Sequence, residues 1–372
     1  MAYYGAHMRA LTAVGLALLA ATAVAQDVTF TDAEVRAILA HGPWPVPLAK
    51  DASNRVSGAR EAVELGERLF FDRRLSASGK FSCGTCHIPE RNWTDNLTRG
   101  AAVAEVDRNT PTLMNVRLGR WFGWTGAADS LWSQSIRPML DRRELGSSAR
   151  KVADVVRNDE QMDCRYRKAF GAAPSADDEA VMVDVAKALA AFQETFETPP
   201  TPFDAFRNAL ARGEDRPWLY SDAARRGLRT FVAHCSSCHS GPNFSNGEFR
   251  DNGFSAGAPG RAEGVRILAA SRFNRAGPYN DDPARAVPVL DAKESGFKVP
   301  TLRHLFLTAP YGHHGKFERL AEVVRHYSEA GSPTLRPLNL TAGQQSDLVV
   351  FLESLSTFNN PWRPEDHGRC SD

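Results

Sequence analysis

The sequence has almost no net charge, no long apolar run beyond its first residues, and no sustained alternation of apolar and polar positions. Its 45 basic and 44 acidic residues nearly cancel, so it lacks the cationic field that a phosphate backbone recruits, and no nucleic-acid partner is expected. The run Leu11–Ala21 is shorter than the roughly 18–20 apolar residues that span a bilayer, and no later stretch is longer, so no stable membrane insertion is expected. Without a period-two pattern, little strand is expected. Two further absences matter below: no methionine follows Met182, and no histidine lies between His87 and His234.

What is present is a pair of Cys-x-x-Cys-His pentads, Cys83-Gly84-Thr85-Cys86-His87 and Cys235-Ser236-Ser237-Cys238-His239. The pentad is the attachment pattern of c-type haem. Two thiols form thioethers to one porphyrin, and the adjacent histidine becomes an axial iron ligand. A zinc site or a dithiol could use the cysteines, but neither explains a histidine directly after the second Cys in both copies. Two covalent haems and redox chemistry are expected. Cys164 and Cys370 remain; they either pair as a disulfide or stay as two thiols.

The first 25 residues read as a secretory signal, with Arg9 in the n-region, the apolar run, and Ala23-Val24-Ala25 as a cleavage site before Gln26. A soluble, exported, periplasmic protein is expected.

The 372 residues suffice for about two domains. Helical patterns fall at 33–41 (with Asp32 as N-cap), 59–70, 127–139, 150–157, 178–197, 219–233, 318–328 and 342–356. The stretches 88–115 and 240–298 are rich in Pro, Gly and Asn and read as loop packed around haem. Thr198-Pro199-Pro200-Thr201-Pro202 marks a linker or domain edge. The expected fold is mainly α: two loop-rich cytochrome-c-like domains, residues 26–200 and 201–372, each with one covalent haem in its core.

Function turns on the far face of each iron. A six-coordinate haem transfers electrons, whereas an open one binds peroxide. A first domain that supplies its own distal ligand from beyond its pentad has no histidine for the purpose, only Met114, Met139, Met162 or Met182, and none in the loop 88–113. An open first haem is the favoured reading, a Met-capped one the alternative. The second domain has no methionine; its candidates are His304, His313, His314, His326, Tyr279, Tyr311 and Tyr327.

Several segments together resemble the bacterial dihaem cytochrome c peroxidase superfamily, in its MauG-like branch. They are Leu69-Phe70-Phe71-Asp72, both pentads, Arg108-Asn109-Thr110-Pro111-Thr112, Phe122 to Leu131, Glu144-Leu145-Gly146, Phe297 to Arg303, and Thr308-Ala309-Pro310-Tyr311 with His313. The likeness covers about Leu65 to Leu355 and extends to the methanobactin-associated dihaem enzyme MbnH. It implies that Glu144 is the distal acid/base beside the peroxide-binding haem, with Gln134 and Pro138 in the same pocket. It implies that Trp124 lies between the haems, and that Asn109, Thr308 and Pro310 hold one inter-haem calcium ion. Where the peroxidases of this family place a methionine ligand, fourteen residues beyond the position of His313, this chain has Tyr327, as MauG-like enzymes do. The loop histidine that caps the first haem in those peroxidases has no counterpart in Thr98–Asp107.

The implied activity is a peroxide-dependent oxidase. Its haem pair holds a paired high-valent state and oxidises an aromatic residue, expected to be Trp, of a periplasmic partner protein. Trp93, Trp121, Trp132, Trp218 and Trp362 are exit candidates, although packing is the ordinary role of each. The alternatives are a peroxidase fed by a small cytochrome or cupredoxin, and a non-catalytic dihaem electron carrier.

Overall fold

The computed structural model describes residues 28–371 except position 48 and the segments 215–218, 255–258, 285–295, 332–334 and 358–361. The expected leader and Trp218 lie outside the described residues. Helices dominate: α1 (Asp32–Leu39), α2 (Arg60–Phe71), the single turn α3 (Cys83–Cys86), α4 (Leu131–Leu140), α5 (Ala149–Arg157), α6 (Glu160–Phe170), α7 (Asp178–Gln193), α8 (Pro202–Ala211), α9 (Asp222–His234), α10 (Gly260–Ala270), α11 (Leu320–Glu329) and α12 (Ala342–Glu353). Two two-residue strands, β1 (Phe249–Arg250) and β2 (Phe297–Lys298), pair antiparallel. The mainly helical, cytochrome-c-like architecture expected from the sequence is present.

The differences are local. Thr31, not Asp32, caps α1: its hydroxyl accepts from the Glu34 amide at 3.3 Å while the Glu34 carboxylate accepts from the Thr31 amide at 2.7 Å, a capping box. α4 begins at Leu131 rather than 127. The preceding residues form a turn closed by pairing of Phe122 with Ala128, and Ser130 caps the helix. α6, α8 and α10 were not expected. α6 nonetheless carries clear punctuation, an Asp159 N-cap and Gly171 in the left-handed region. α10 sits inside the stretch expected to be mostly loop.

Two apolar cores result. One gathers Leu65, Phe70, Trp93, Trp132, Leu189 and Phe192 among others. The second gathers Phe203, Leu228, Phe231, Phe244 and Phe351. Core membership does not follow chain order at the ends. Ile38 of α1 belongs to the second core, and Trp362 packs on the first.

Each core is built on a helix pair in close approach: α2 on α7, and α9 on α12. A glycine sits at each crossing. A Cβ on Gly66 would lie 2.1 Å from the Ala188 carbonyl oxygen, and one on Gly227 would lie 2.0 Å from that of Asp347. The absent side chain lets the backbones touch. Cys164 and Cys370 form a disulfide across 206 residues, which ties the C-terminal segment to α6.

Candidate functional site

Both pentads open onto one cavity of about 1060 Å3, at the upper limit of the roughly 300–1,000 Å3 usual for a small-molecule site. Cys83, Cys86, Cys235 and Cys238 are free of disulfides. Desolvation pushes the Cys83, Cys86 and Cys235 thiols up to about 12. That shift works against the thiolate form.

The two histidines are held alike. His87 Nδ1 lies 2.9 Å from the Trp93 carbonyl oxygen, and His239 Nδ1 lies 3.0 Å from that of Phe244. Both acceptors are fully buried aromatic residues at positive φ, 60° and 50°. That conformation costs a side-chain-bearing residue about 1–2 kcal/mol and turns each carbonyl toward its histidine. With Nδ1 donating, each ring offers Nε2 as ligand. Burial pushes His239 down to about 4 and lowers His87 too, so both are neutral donors. The donor set fits a c-type haem at each pentad.

The far walls of the cavity are related by a repeat that the sequence reading missed. Shifting the chain by 189 positions carries 109–140 onto 298–329. The Phe122–Ala128 pairing maps onto Tyr311–Phe317. Left-handed Asn115, Gly123 and Gly126 map onto left-handed His304, Gly312 and Gly315. α4 maps onto α11. The signal was available: Pro111-Thr112-Leu113 recurs as Pro300-Thr301-Leu302 at the same shift. The shift also carries Pro138 onto Tyr327. Proline has no donor atom to offer; tyrosine has a phenol oxygen.

Tyr327 lines the cavity beside Cys235, Cys238 and His239. Burial and the neighbouring pentad sulfurs push its phenol up to about 12, while a hydrogen bond from the Asn252 side chain opposes this. The Asn252 Oδ1 accepts from the Phe254 amide at 3.1 Å, leaving Nδ2 for Tyr327. Among the other second-half candidates, the His326 ring packs on Phe254, with Nε2 at 3.3 Å from the Asn252 carbonyl. His313 stacks on Phe297 at 3.5 Å. Tyr279 bonds Glu179 on the opposite core.

On the first unit's wall stand Gln134, Pro138 and Glu144. Gln134 and Pro138 project from α4, and Glu144 from the turn after it. The Leu145 amide donates to the Pro138 carbonyl at 3.1 Å and closes that turn. Burial, reinforced by Asp141 and opposed by Arg137 and Arg143, pushes Glu144 up to about 7. A carboxyl poised there exchanges protons near neutrality. Its charge is felt at Cys83 and Cys86, which sets it beside the first pentad. Met139 and Met162 are buried in the apolar core and do not line the cavity; Met114 does.

Trp124 sits where the two units meet. Its Nε1 donates to the Asn109 carbonyl at 2.8 Å. Two backbone hydrogen bonds flank it, Asn109 amide to His313 carbonyl at 3.0 Å and Lys298 amide to Trp124 carbonyl at 2.9 Å. The 189-position shift exchanges them: Asn109 becomes Lys298, and Trp124 becomes His313. The junction is therefore a local pseudo-twofold. Asn109, Thr308 and Pro310 line the same cavity. Asn109 Nδ2 is spent on the Leu97 carbonyl at 2.7 Å, leaving Oδ1 as a hard donor; carbonyl and amide oxygens suit calcium.

Of the exit candidates, Trp93, Trp121 and Trp132 are buried. Trp362 is half-buried and packs 5.1 Å from Trp93 and 5.4 Å from Phe71, centroid to centroid.

The family described as di-haem cytochrome c peroxidase matches residues 60–212. The methylamine utilization protein MauG of Methylorubrum extorquens is 34% identical over 307 residues, covering 79% of this chain and 78% of that protein. The cytochrome c551 peroxidase of Nitrosomonas europaea is 31% identical, covering 80% of each. Among solved structures, a MauG-like protein associated with microbial copper homeostasis superposes with a TM-score of 0.64 at 24% identity, over 87% of this chain and all of that one; the likeness is one of fold. Among the described residues, no helix is long and apolar enough to cross a membrane.

Proposed function

This chain belongs to the di-haem cytochrome c peroxidase family, which includes MauG, and from that premise we propose that it uses hydrogen peroxide to oxidise an aromatic residue of a partner protein, expected to be Trp, in the periplasm. It is a haem-dependent oxidoreductase with two c-type haems. The observation that carries the finer reading is the repeat: one position of one repeated helix is Pro138 beside the first pentad and Tyr327 beside the second. Proline would leave a face open to peroxide, and the phenol oxygen of Tyr327 would close the other. The haems, when bound, accept the oxidising equivalents of peroxide, which takes up two electrons and two protons and leaves as two waters.

The protein's own residues do the rest. His87 and His239 would hold the irons through Nε2, with the Trp93 and Phe244 carbonyls fixing their rings. Glu144 accepts a proton from one peroxide oxygen and returns it to the other, at the pH where its pKa of about 7 makes both steps easy. Gln134 and Pro138 shape the pocket. Trp124, anchored on Asn109, bridges the units and lets charge pass between them. Asn109, Thr308 and Pro310 would hold a calcium ion, which would stiffen this junction. The two electrons come from the partner, one at a time, over the protein surface. The first 25 residues act as the export signal.

Stoichiometric peroxide added to the ferric holoprotein tests this. A near-infrared band that persists without donor, and is lost in Tyr327→Phe, is expected. Rapid steady turnover with reduced cytochrome c, and no such band, would instead identify a peroxidase of the kind named for the Nitrosomonas relative. No reaction with peroxide would identify an electron carrier.

A further inference from the structure

Six cationic side chains line the cavity: Arg108, Arg120, Arg137, Arg143, Arg250 and Lys298. Five have evident partners. Arg143 pairs with Asp107 at 2.8 Å and Asp141 at 3.2 Å, and Arg250 with Glu248 at 2.6 Å. Arg108 lies 3.0 Å from His314 Nε2, Arg120 covers the Trp121 ring, and Lys298 donates to the Trp121 carbonyl at 2.9 Å.

Like Arg108, Arg120 and Lys298, Arg137 closes no ion pair, but it alone of the four stands on one helix with Gln134 and Pro138. Among the described residues the one hydrogen bond of its guanidinium goes to Gln134 Oε1, at 3.3 Å, and no carboxylate closes an ion pair with it. Yet burial works against its charge, and a guanidinium does not give up its proton. None of its nitrogens is buried without a partner, so the unspent N–H groups reach the cavity and can donate to what occupies it.

Its surroundings say what that is. Gln134, Arg137 and Pro138 follow one another at i, i+3 and i+4 on α4 and so share one face. Arg137 Nη1 and Gln134 Oε1 sit together against Gly123, each 3.5 Å from where a Cβ would be. Arg137 feels the charges of Glu144, Asp141 and Glu263, and Glu144 that of Arg137, but none of these carboxylates closes an ion pair with it. A donor and a proton acceptor thus face one space beside the first pentad without neutralising each other. In the second unit the 189-position shift puts His326 at this place, and that ring is occupied with Phe254.

We propose that Arg137 is a catalytic residue of the peroxide reaction: its guanidinium donates hydrogen bonds to bound peroxide, to the oxygen that gains negative charge as the O–O bond breaks. The inference rests on the open first face argued above. Arg137 keeps all its protons throughout. Glu144 relays the proton from one oxygen to the other, and over the whole reaction peroxide takes two electrons and two protons and becomes two waters. Gln134 is then a positioning residue, which holds the guanidinium toward the guest.

Fluoride binding to the ferric holoprotein, followed by optical titration, tests this without turnover. Fluoride is a small anion on the same iron face and takes hydrogen bonds from the same donor. In Arg137→Leu the affinity should fall about tenfold to a hundredfold, the worth of a hydrogen bond to a charged group, and Arg137→Lys should recover part of it. Arg137→Gln, closest in shape and polarity, serves if the leucine variant does not fold. Unchanged fluoride affinity in the Leu or Gln variant, with or without a shift in first-haem potential, would assign Arg137 to anchoring the cofactor and overturn the proposal. A wild-type protein that binds no fluoride at all would sink the open face itself and this inference with it.

Discussion

Tyr327 stands in the second unit where Pro138 stands in the first. Around them the repeat keeps its turns, its left-handed residues and its helix, down to the residue numbers. One backbone framework therefore places either a proline or a phenol oxygen at the same point of the cavity wall, and the choice lies in one side chain. In the proposed function this asymmetry would separate an oxidant-binding site from a charge-storing one.

Changing that side chain alone should move the second site. In Tyr327→Met, a thioether replaces the phenol oxygen, and the second haem's midpoint potential should rise by roughly 0.1 V or more within the roughly 0.8 V that axial ligands span. Redox titration of the two haems reads it. An unchanged second-haem potential would show that Tyr327 only packs nearby.

Glu144 fixes a pH dependence. Burial holds its carboxyl up at about 7. Accepting a proton requires the ionised form, so the rate of reaction with peroxide should be flat above that pH and fall about tenfold per unit below it. Glu144→Gln should lower the plateau by about 10²–10⁴-fold and remove the inflection. Stopped-flow mixing across pH 5–9 measures both.

Trp124→Phe removes the Nε1 donor that grips Asn109 and the indole between the units. Peroxide should still be consumed at the first site, because Glu144, Gln134 and Arg137 are untouched. The near-infrared signature of charge shared between haems should be lost. Persistence of that band in the variant would rule Trp124 out as the bridge.

The helix crossings give a stability test. Gly227→Ala puts a methyl 2.0 Å from the Asp347 carbonyl oxygen, so α9 and α12 must part. The cost should reach the upper end of the roughly 1–3 kcal/mol typical of overpacking. Gly171→Ala, with nothing within 4 Å of the new carbon, should show only the smaller strain of its left-handed φ. Denaturant titration of both variants compares them.

Cys164→Ser should cost about 2–5 kcal/mol, because the disulfide closes a long loop. It should also loosen the tail that carries His367 to Glu67, at 2.8 Å. Reduced wild-type protein should match the variant in the same unfolding assay; equal stability of oxidised and reduced protein would refute the role of the bond.

The sequence by itself determined the chemistry of attachment. Two Cys-x-x-Cys-His runs need no fold to announce covalent haem, because thioether formation and axial ligation are both local to five residues. It also determined the missing ligands, since a chain without methionine after Met182 cannot place one from its second half. The long helices α7 and α12 were legible too, because their apolar spacing is uninterrupted. What the tertiary structure alone decided is which groups meet. The carbonyls of Trp93 and Phe244 orient the histidines only because both residues adopt a left-handed backbone. Glu144 is shifted because the folded wall desolvates it and sets Asp141 beside it. Arg137 closes no ion pair, while Asp141, which feels its charge, pairs with Arg143. Burial and partner choice are properties of distances between residues far apart in the chain, and no local pattern encodes them.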